Sequence, residues 1–343
     1  MKSKITQIVY VASPESQQIY VWKLDEFKEL LELMQIVSTC GQAQPMAINP
    51  TQRFLYVGIR PNFSIYTYCI NREGLLNKIK IVNIASSPTH ITMNAQSTFL
   101  YYASYNYNAI SVIALDDSGM PNDNNSIVQT IENLLGCHSV NIDRTERLLW
   151  VPCLKENVVR LFNINKHNGK LIPYHLNYIK TKIDSGPRHM IFHRSADYAY
   201  VINEFNGTIN VLSYNIKEKY LCIIQTINIL PITYGVNINK LWAADIHITP
   251  DSRWVYCSDR LTNTISYFEI LSDTKKLRFI GYKHTEKQPR GFAIDKTGNF
   301  LIVAGQKSHC ISLYRINLKN GKLNFLSRYQ SGKGPMWINI VFI

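Results

Sequence analysis

The chain has 343 residues, 46% of them hydrophobic and 18% charged, with a formal net charge of +13. That length exceeds an ordinary single domain and leaves either two domains or one large repeat array. Lys and Arg are scattered, with no run of five or more basic residues. The charge therefore reads as composition rather than as a nucleic-acid footprint, although such a field would help draw in a small anion.

No apolar run approaches the ~18 residues of a spanning helix, so no membrane segment is expected. The apolar run Ile8–Ala12 is broken at once by Ser13-Pro14-Glu15, which argues against a signal peptide. Seven cysteines are widely spaced with no C-x-x-C pair. That pattern speaks against a disulfide framework or a zinc site and suits a reducing, cytoplasmic setting.

In chain order, the first expected strand is Gln7–Ala12, centred on Tyr10-Val11, and an alternating strand opens at Ile19. An aromatic or apolar residue followed by a Val-like one then recurs at Tyr56, Tyr101, Trp150, Tyr200, Tyr256 and Ile302. Successive anchors lie 46, 45, 49, 50, 56 and 46 residues apart. Nine residues after every anchor stands a β-branched residue: Ile19, Ile65, Ile110, Val159, Ile209, Ile265 and Ile311. A constant offset means a strand, a turn of fixed length and a second strand. The strands opening there alternate as half-buried strands do, for example Ile265-Ser266-Tyr267-Phe268-Glu269-Ile270.

A Gly-x-Leu signal often follows (Gly74, Gly169, Gly321) and marks a hairpin into an outer strand. A short inner strand precedes each anchor after the first: Met46–Ile48, Ile91–Met93, Val140–Ile142, Met190–Phe192, Ile246–Ile248 and Phe292–Ile294.

Four antiparallel strands repeated every ~40–50 residues make a propeller blade. The expected fold is an all-β, seven-bladed β-propeller forming one domain over residues 1–343. The first strand lacks an inner partner, and Pro335–Ile340 is a lone inner strand, so the C-terminal strand should join the N-terminal three and close the ring. Asp116–Ile127 and Leu230–Lys240 read as surface inserts.

The repeat is its own control. The slot before each inner strand reads Gln44, Thr89, His138, Arg188, Ala244, Arg290 and Met336 around the ring. The next slot reads Pro45, His90, Ser139, His189, Asp245, Gly291 and Trp337. Four residues after each anchor stand Pro14, Arg60, Tyr105, Leu154, Glu204, Arg260 and Gln306. Inner strands and second strands run oppositely, so these slots are expected to surround one mouth of the central channel.

Arg60, Arg188, Arg260 and Arg290 there would bind a phosphate or carboxylate and stabilise an oxyanion. Glu204, His138 or His189 could act as acid or base, with Asp245 beside them. Each residue also has a plainer reading, as a rim salt bridge or a hydrogen-bonded structural side chain. His247 alternates with apolar neighbours and reads as packed. A calcium site from Asn203, Glu204, Asp245 and Asp259 is disfavoured by the four arginines, and no metal is expected. The nucleophile-elbow, zincin and phosphate-loop motifs are absent.

A propeller is a scaffold and names no function. The strings Gly136-Cys-His-Ser139, Gly186-Pro-Arg-His-Met190, Val201-Ile-Asn-Glu204, Trp242–Pro250, Gln288-Pro-Arg-Gly291 and Gly334-Pro-Met-Trp337 do more. Through them the chain resembles the seven-bladed propeller lactonases, the bacterial 6-phosphogluconolactonases and their relatives the fungal carboxymuconate cycloisomerases. The resemblance covers essentially the whole chain.

It implies hydrolysis of 6-phospho-D-glucono-1,5-lactone in the oxidative pentose phosphate pathway, without a cofactor. By motif it places catalysis on His138, Arg188 and Glu204, with Arg60, His189, Asp245, Arg260 and Arg290 left for substrate. The expected partner is a small phosphorylated sugar lactone, and the chain reads as a monomer. A scaffold propeller and a lactonising cycloisomerase stand as the alternatives. Phe205 departs from the Leu more usual after the Glu.

Overall fold

The computed structural model describes residues 6–122, 126–231 and 241–343. The described residues form seven antiparallel sheets of four strands each. Inner strands neighbour those of the next blade, except that blade 3 meets the inner strand Pro187–Phe192 of blade 4 through its second strand Leu148–Cys153, and the seven stand around a central channel. Blades 1 to 6 occupy residues 42–83, 90–131, 141–180, 187–228, 243–284 and 289–330.

Blade 7 is composite. The inner strand Trp337–Phe342 pairs with Gln7–Ser13, register Ala12↔Trp337 and Gln7↔Phe342, and Gln18–Asp25 and Leu30–Ser38 complete it. The expected ring closure is thus found, with the closing strand two residues later than read from the sequence. The insert expected at Leu230–Lys240 lies mostly outside the described residues, and Leu230 itself is buried.

Second strands are sandwiched between neighbouring blades. Gln7–Ser13, Phe99–Ser104, Leu148–Cys153 and Trp254–Asp259 are buried at every residue, so they read as near-continuous apolar runs. Outer strands such as Leu171–Lys180 are mostly exposed.

The anchor residues have a specific task. Tyr10, Tyr101 and Tyr256 donate their hydroxyls to the carbonyls of Gly74, Gly169 and Gly321, at 2.9, 3.3 and 2.8 Å, and Tyr56 reaches Gly119 likewise. Tyr200 reaches Lys275 O at 3.0 Å. Each of the five tyrosine anchors therefore ties its blade to the outer hairpin of the next one. Gly74 sits in that hairpin at φ +83°, and a Cβ there would meet Ile8 Cγ1 at 2.4 Å, so both backbone and packing require glycine.

Candidate active site

The mouth is shaped by irregular backbone. The inner strands of blades 1, 4, 5 and 6 shift register at their mouth ends, between Ala43/Met46, Pro187/His189, Ala243/Ile246 and Pro289/Gly291. A bulge re-aims the side chain it carries, and here it turns Arg188 and Arg290 into the mouth. Gly291 then lets blades 6 and 7 close up, since a Cβ there would lie 2.3 Å from Met336 O. Arg60, Glu204 and Arg260 stand at the end of, or one residue beyond, second strands that run to the same rim. His138 is fixed in a loop, its N–H donating to Pro152 O at 3.0 Å.

These residues line one cavity of about 300 Å³: Arg60, Thr89, Tyr105, Asn106, His138, Arg188, Glu204, Trp242, Arg260 and Arg290. A volume of this order suits a small ligand. Four guanidinium groups face one carboxylate, so the cavity carries a net charge of about +3 with His138 neutral.

The arginines divide by how fully they are engaged. Arg260 Nε donates to Trp242 O at 3.1 Å and its Nη2 to Ala243 O at 2.9 Å and Glu204 Oε2 at 3.0 Å. Its guanidinium also lies 3.7 Å over the Trp242 ring. Arg188 is fully buried and donates Nη1 to Ala244 O at 2.5 Å. Its Nε lies 2.7 Å from Glu204 Oε2 with a poorly aligned N–H, an ion pair rather than a directed bond. Arg60 donates Nη2 to Pro88 O at 2.8 Å, and its Nε is unpartnered. Arg290 makes no hydrogen bond or ion pair among the described residues, so its donors point into the cavity uncommitted.

Burial alone would raise the Glu204 pKa. Arg188 and Arg260, with a hydrogen bond from Trp242 Nε1 at 3.0 Å, overcome it and hold the carboxyl below its ordinary value. Glu204 is therefore an anion locked to two cations. For His138, burial and then Arg188, His189, Arg290 and Arg260 push the pKa well below 6.5. It is neutral at pH 7, and its Nδ1 is buried without a partner. Burial and the neighbouring Arg188 lower Arg260 to about 9 and Arg290 to about 10, and both remain cations.

Two of the eight expected site residues lie elsewhere. His189 and Asp245 line the adjoining channel chamber of about 380 Å³, with His90, His247, Asn141 and Trp337. The second slot is one step of about 3.3 Å deeper along each inner strand, so it faces the channel below the mouth. His189 Nδ1 lies 2.7 Å from Asp245 Oδ1, and His247 Nε2 lies 3.0 Å from Oδ2. His247, expected to be packed, does lie against Phe292 at 4.7 Å but also forms channel wall.

Asn203, Glu204, Asp245 and Asp259 do not converge. Asn203 bonds Thr208, and Asp259 caps Leu261, Thr262 and Trp242. Among the described residues no group of three or more His, Cys, Asp or Glu has metal-binding geometry. Trp242 stands two residues before the Ala244 slot, at a position none of the three compared slots includes, so the repeat comparison does not reach it. Phe205 packs its ring against Gly186, where a Cβ would meet Cδ2 at 2.5 Å.

The family described as "Lactonase, 7-bladed beta-propeller" matches residues 8–340. The chain is 56% identical over 335 residues to the 6-phosphogluconolactonase of Blochmanniella floridana, covering 98% of each chain. It is 58% identical to that of Blochmanniella pennsylvanica, again with 98% of each covered. Among solved structures it resembles the periplasmic gluconolactonase of Pseudomonas aeruginosa, with TM-score 0.85, 21% identity and coverage of 98% of this chain and 99% of the other. At that identity the likeness concerns the fold alone. Among the described residues no helix is long and apolar enough to cross a membrane.

Proposed function

The chain belongs to the lactonase family of seven-bladed β-propellers, and on that premise we propose that it hydrolyses 6-phospho-D-glucono-1,5-lactone to 6-phospho-D-gluconate. It is then a carboxylic-ester hydrolase of the oxidative pentose phosphate pathway, working as one propeller domain in the cytoplasm. Seven free cysteines fit a reducing compartment. The observation that carries the reading is the match between a small anionic lactone and a mouth of four arginines around a neutral, half-unpartnered imidazole.

Arg290 and Arg60, which have donors to give, hold the phosphate by charge-assisted bonds. Arg188, fixed from behind by Ala244 O and Glu204, faces the lactone carbonyl and stabilises the oxyanion. Glu204, already committed to Arg188 and Arg260, is a poor proton acceptor and serves to hold those two cations in place. His138 is the better base. Its low pKa in the empty field of arginines rises when a dianionic phosphate offsets that field, which moves it toward the range where base catalysis is effective. It takes the proton of the attacking water and returns it to the departing ring oxygen.

The test is acid release from freshly prepared lactone, with spontaneous opening subtracted, with and without chelator. Acceleration that survives chelation and strongly favours the phosphorylated lactone is expected. A folded protein that accelerates nothing would leave a binding scaffold. Lactonisation of a muconate without lactone hydrolysis would favour the cycloisomerase reading.

A further inference from the structure

One wall of the mouth carries no charge. Taken in blade order, the cavity is lined by Arg60 from blade 1, by Tyr105 and Asn106 from blade 2 and by His138 at the entry to blade 3. Arg188 follows from blade 4 and Arg290 from blade 6. Blade 2 thus meets a ligand with neutral polar groups alone. It stands between Arg60 on one side and the imidazole on the other.

This wall is firmly held. Tyr105 and Asn106 open the turn between the strands Phe99–Ser104 and Ala109–Ala114. Thr89 Oγ1 accepts the Tyr105 N–H at 2.9 Å. At the far end of the turn, the Asn108 carbonyl accepts the Leu134 N–H at 2.9 Å and its Oδ1 the Gly136 N–H at 2.8 Å. Those bonds tie the turn to the loop that carries His138. The Tyr105 ring stands 5.7 Å from the His138 ring at 63°, and Lys155 Nζ lies 5.1 Å over it.

The polar tips are uncommitted. Among the described residues neither the Tyr105 hydroxyl nor the Asn106 amide makes a hydrogen bond within the protein. Burial raises the Tyr105 pKa, with Glu204 adding to the rise and Arg188 opposing it. The hydroxyl therefore keeps its proton at pH 7, close enough to feel the ion pair across the mouth.

A sugar lactone presents what such a wall can read. In a 6-phosphorylated 1,5-lactone, C2, C3 and C4 carry hydroxyls and lie between the carbonyl at C1 and the phosphate on C6. With the carbonyl at Arg188 and His138 and the phosphate at Arg60 and Arg290, those hydroxyls lie between the same two ends as blade 2. A guanidinium only donates, so it leaves a hydroxyl proton without an acceptor. A phenol and a carboxamide both donate and accept.

We propose that Tyr105 and Asn106 are specificity residues whose side chains hydrogen-bond the ring hydroxyls of the sugar lactone. Tyr105 takes the C2 hydroxyl, because its ring adjoins the imidazole that acts at C1, and Asn106 takes one farther along the ring. The inference rests on the lactonase reading above. It adds what separates a sugar lactone from a phosphorylated lactone without hydroxyls.

The test is kcat/KM by acid release for 6-phosphogluconolactone and its 2-deoxy analogue, both freshly made from the sugar phosphates. Wild type, Tyr105→Phe and Asn106→Ala are compared. Phenylalanine keeps the ring contacts with His138 and Lys155, and Asn106 is exposed on a turn, so both variants should melt as the wild type does. The ratio of the two substrates in one preparation is also independent of how much of it is folded. One neutral hydrogen bond is worth about threefold to tenfold. Tyr105→Phe should lose that factor on the parent lactone and less than twofold on the 2-deoxy analogue. Asn106→Ala should lose a similar factor on both, since its partner hydroxyl is present in each.

Equal losses of Tyr105→Phe on the two lactones, or no loss on either, would overturn the proposal while leaving the lactonase reading intact. Wild-type kcat/KM in Asn106→Ala would strike Asn106 from the wall. A wild type that turns over neither lactone would end the lactonase reading and this inference with it.

Discussion

Arg290→Ala separates binding from folding cleanly. Arg290 has no protein partner among the described residues and sits in the field of Arg188 and Arg60, which with burial lowers its pKa to about 10. Its removal breaks no hydrogen bond or ion pair among the described residues and relieves repulsion from Arg188 and Arg60, so thermal stability should be unchanged or slightly higher. The loss falls on the ligand. A hydrogen bond to a charged group is worth about 1.5–3 kcal/mol, and one to two such bonds to phosphate amount to about 3 kcal/mol, or roughly 150-fold.

The assay is KM for the phosphorylated lactone and for plain glucono-1,5-lactone by acid release, alongside a thermal melt. KM should rise about a hundredfold for the first and less than threefold for the second. Equal losses on both substrates would refute the assignment of Arg290 to phosphate. A melt lowered by several degrees would refute the claim that its guanidinium is structurally uncommitted.

Glu204→Gln acts in the opposite sense. It leaves buried Arg188 and Arg260 without their shared carboxylate, which should cost about 3–5 kcal/mol in denaturant unfolding. The more positive mouth should bind inorganic phosphate more tightly, and phosphate should restore part of the lost stability. Acid should unfold the protein early: burial holds His90 down to about 3 and His189 to about 4, and His138 lies well below 6.5. The unfolded chain takes up protons from about pH 6.5 downward while the native state does not, so stability is full above that pH and falls below it. Near pH 5 the loss should be about 2 kcal/mol per histidine, read as a falling urea midpoint. Tyr256→Phe, which orphans Gly321 O in the next blade, should cost about 1–2 kcal/mol and leave kcat unchanged.

The ring was legible because its frame is metric. A fixed offset of nine residues from Tyr10 to Ile19, and from each later anchor, can only be kept by a hairpin turn of constant length. The reason for tyrosine at the anchor was hidden, because its acceptor belongs to the following blade. Arg60, Arg188, Arg260 and Arg290 were legible as mouth residues because equivalent slots reach one rim. His189 and Asp245 were placed there too, and the pleat puts them a step lower, facing the channel. Nor does any pattern tell Arg260, bound to two carbonyls and Glu204, from the uncommitted Arg290. That difference is made by backbone carbonyls at Trp242 and Ala243, which carry no signal in residue identity.

The central claim is that the neutral imidazole at the mouth moves the proton of a lactone hydrolysis. Its most direct test is kcat for freshly made 6-phosphogluconolactone in wild type and His138→Ala, each shown folded by its melt. A general base contributes about 10²–10⁴ in rate, so the variant should lose at least a hundredfold in kcat while KM changes little. A folded His138→Ala protein that keeps more than about a third of wild-type kcat would contradict the account.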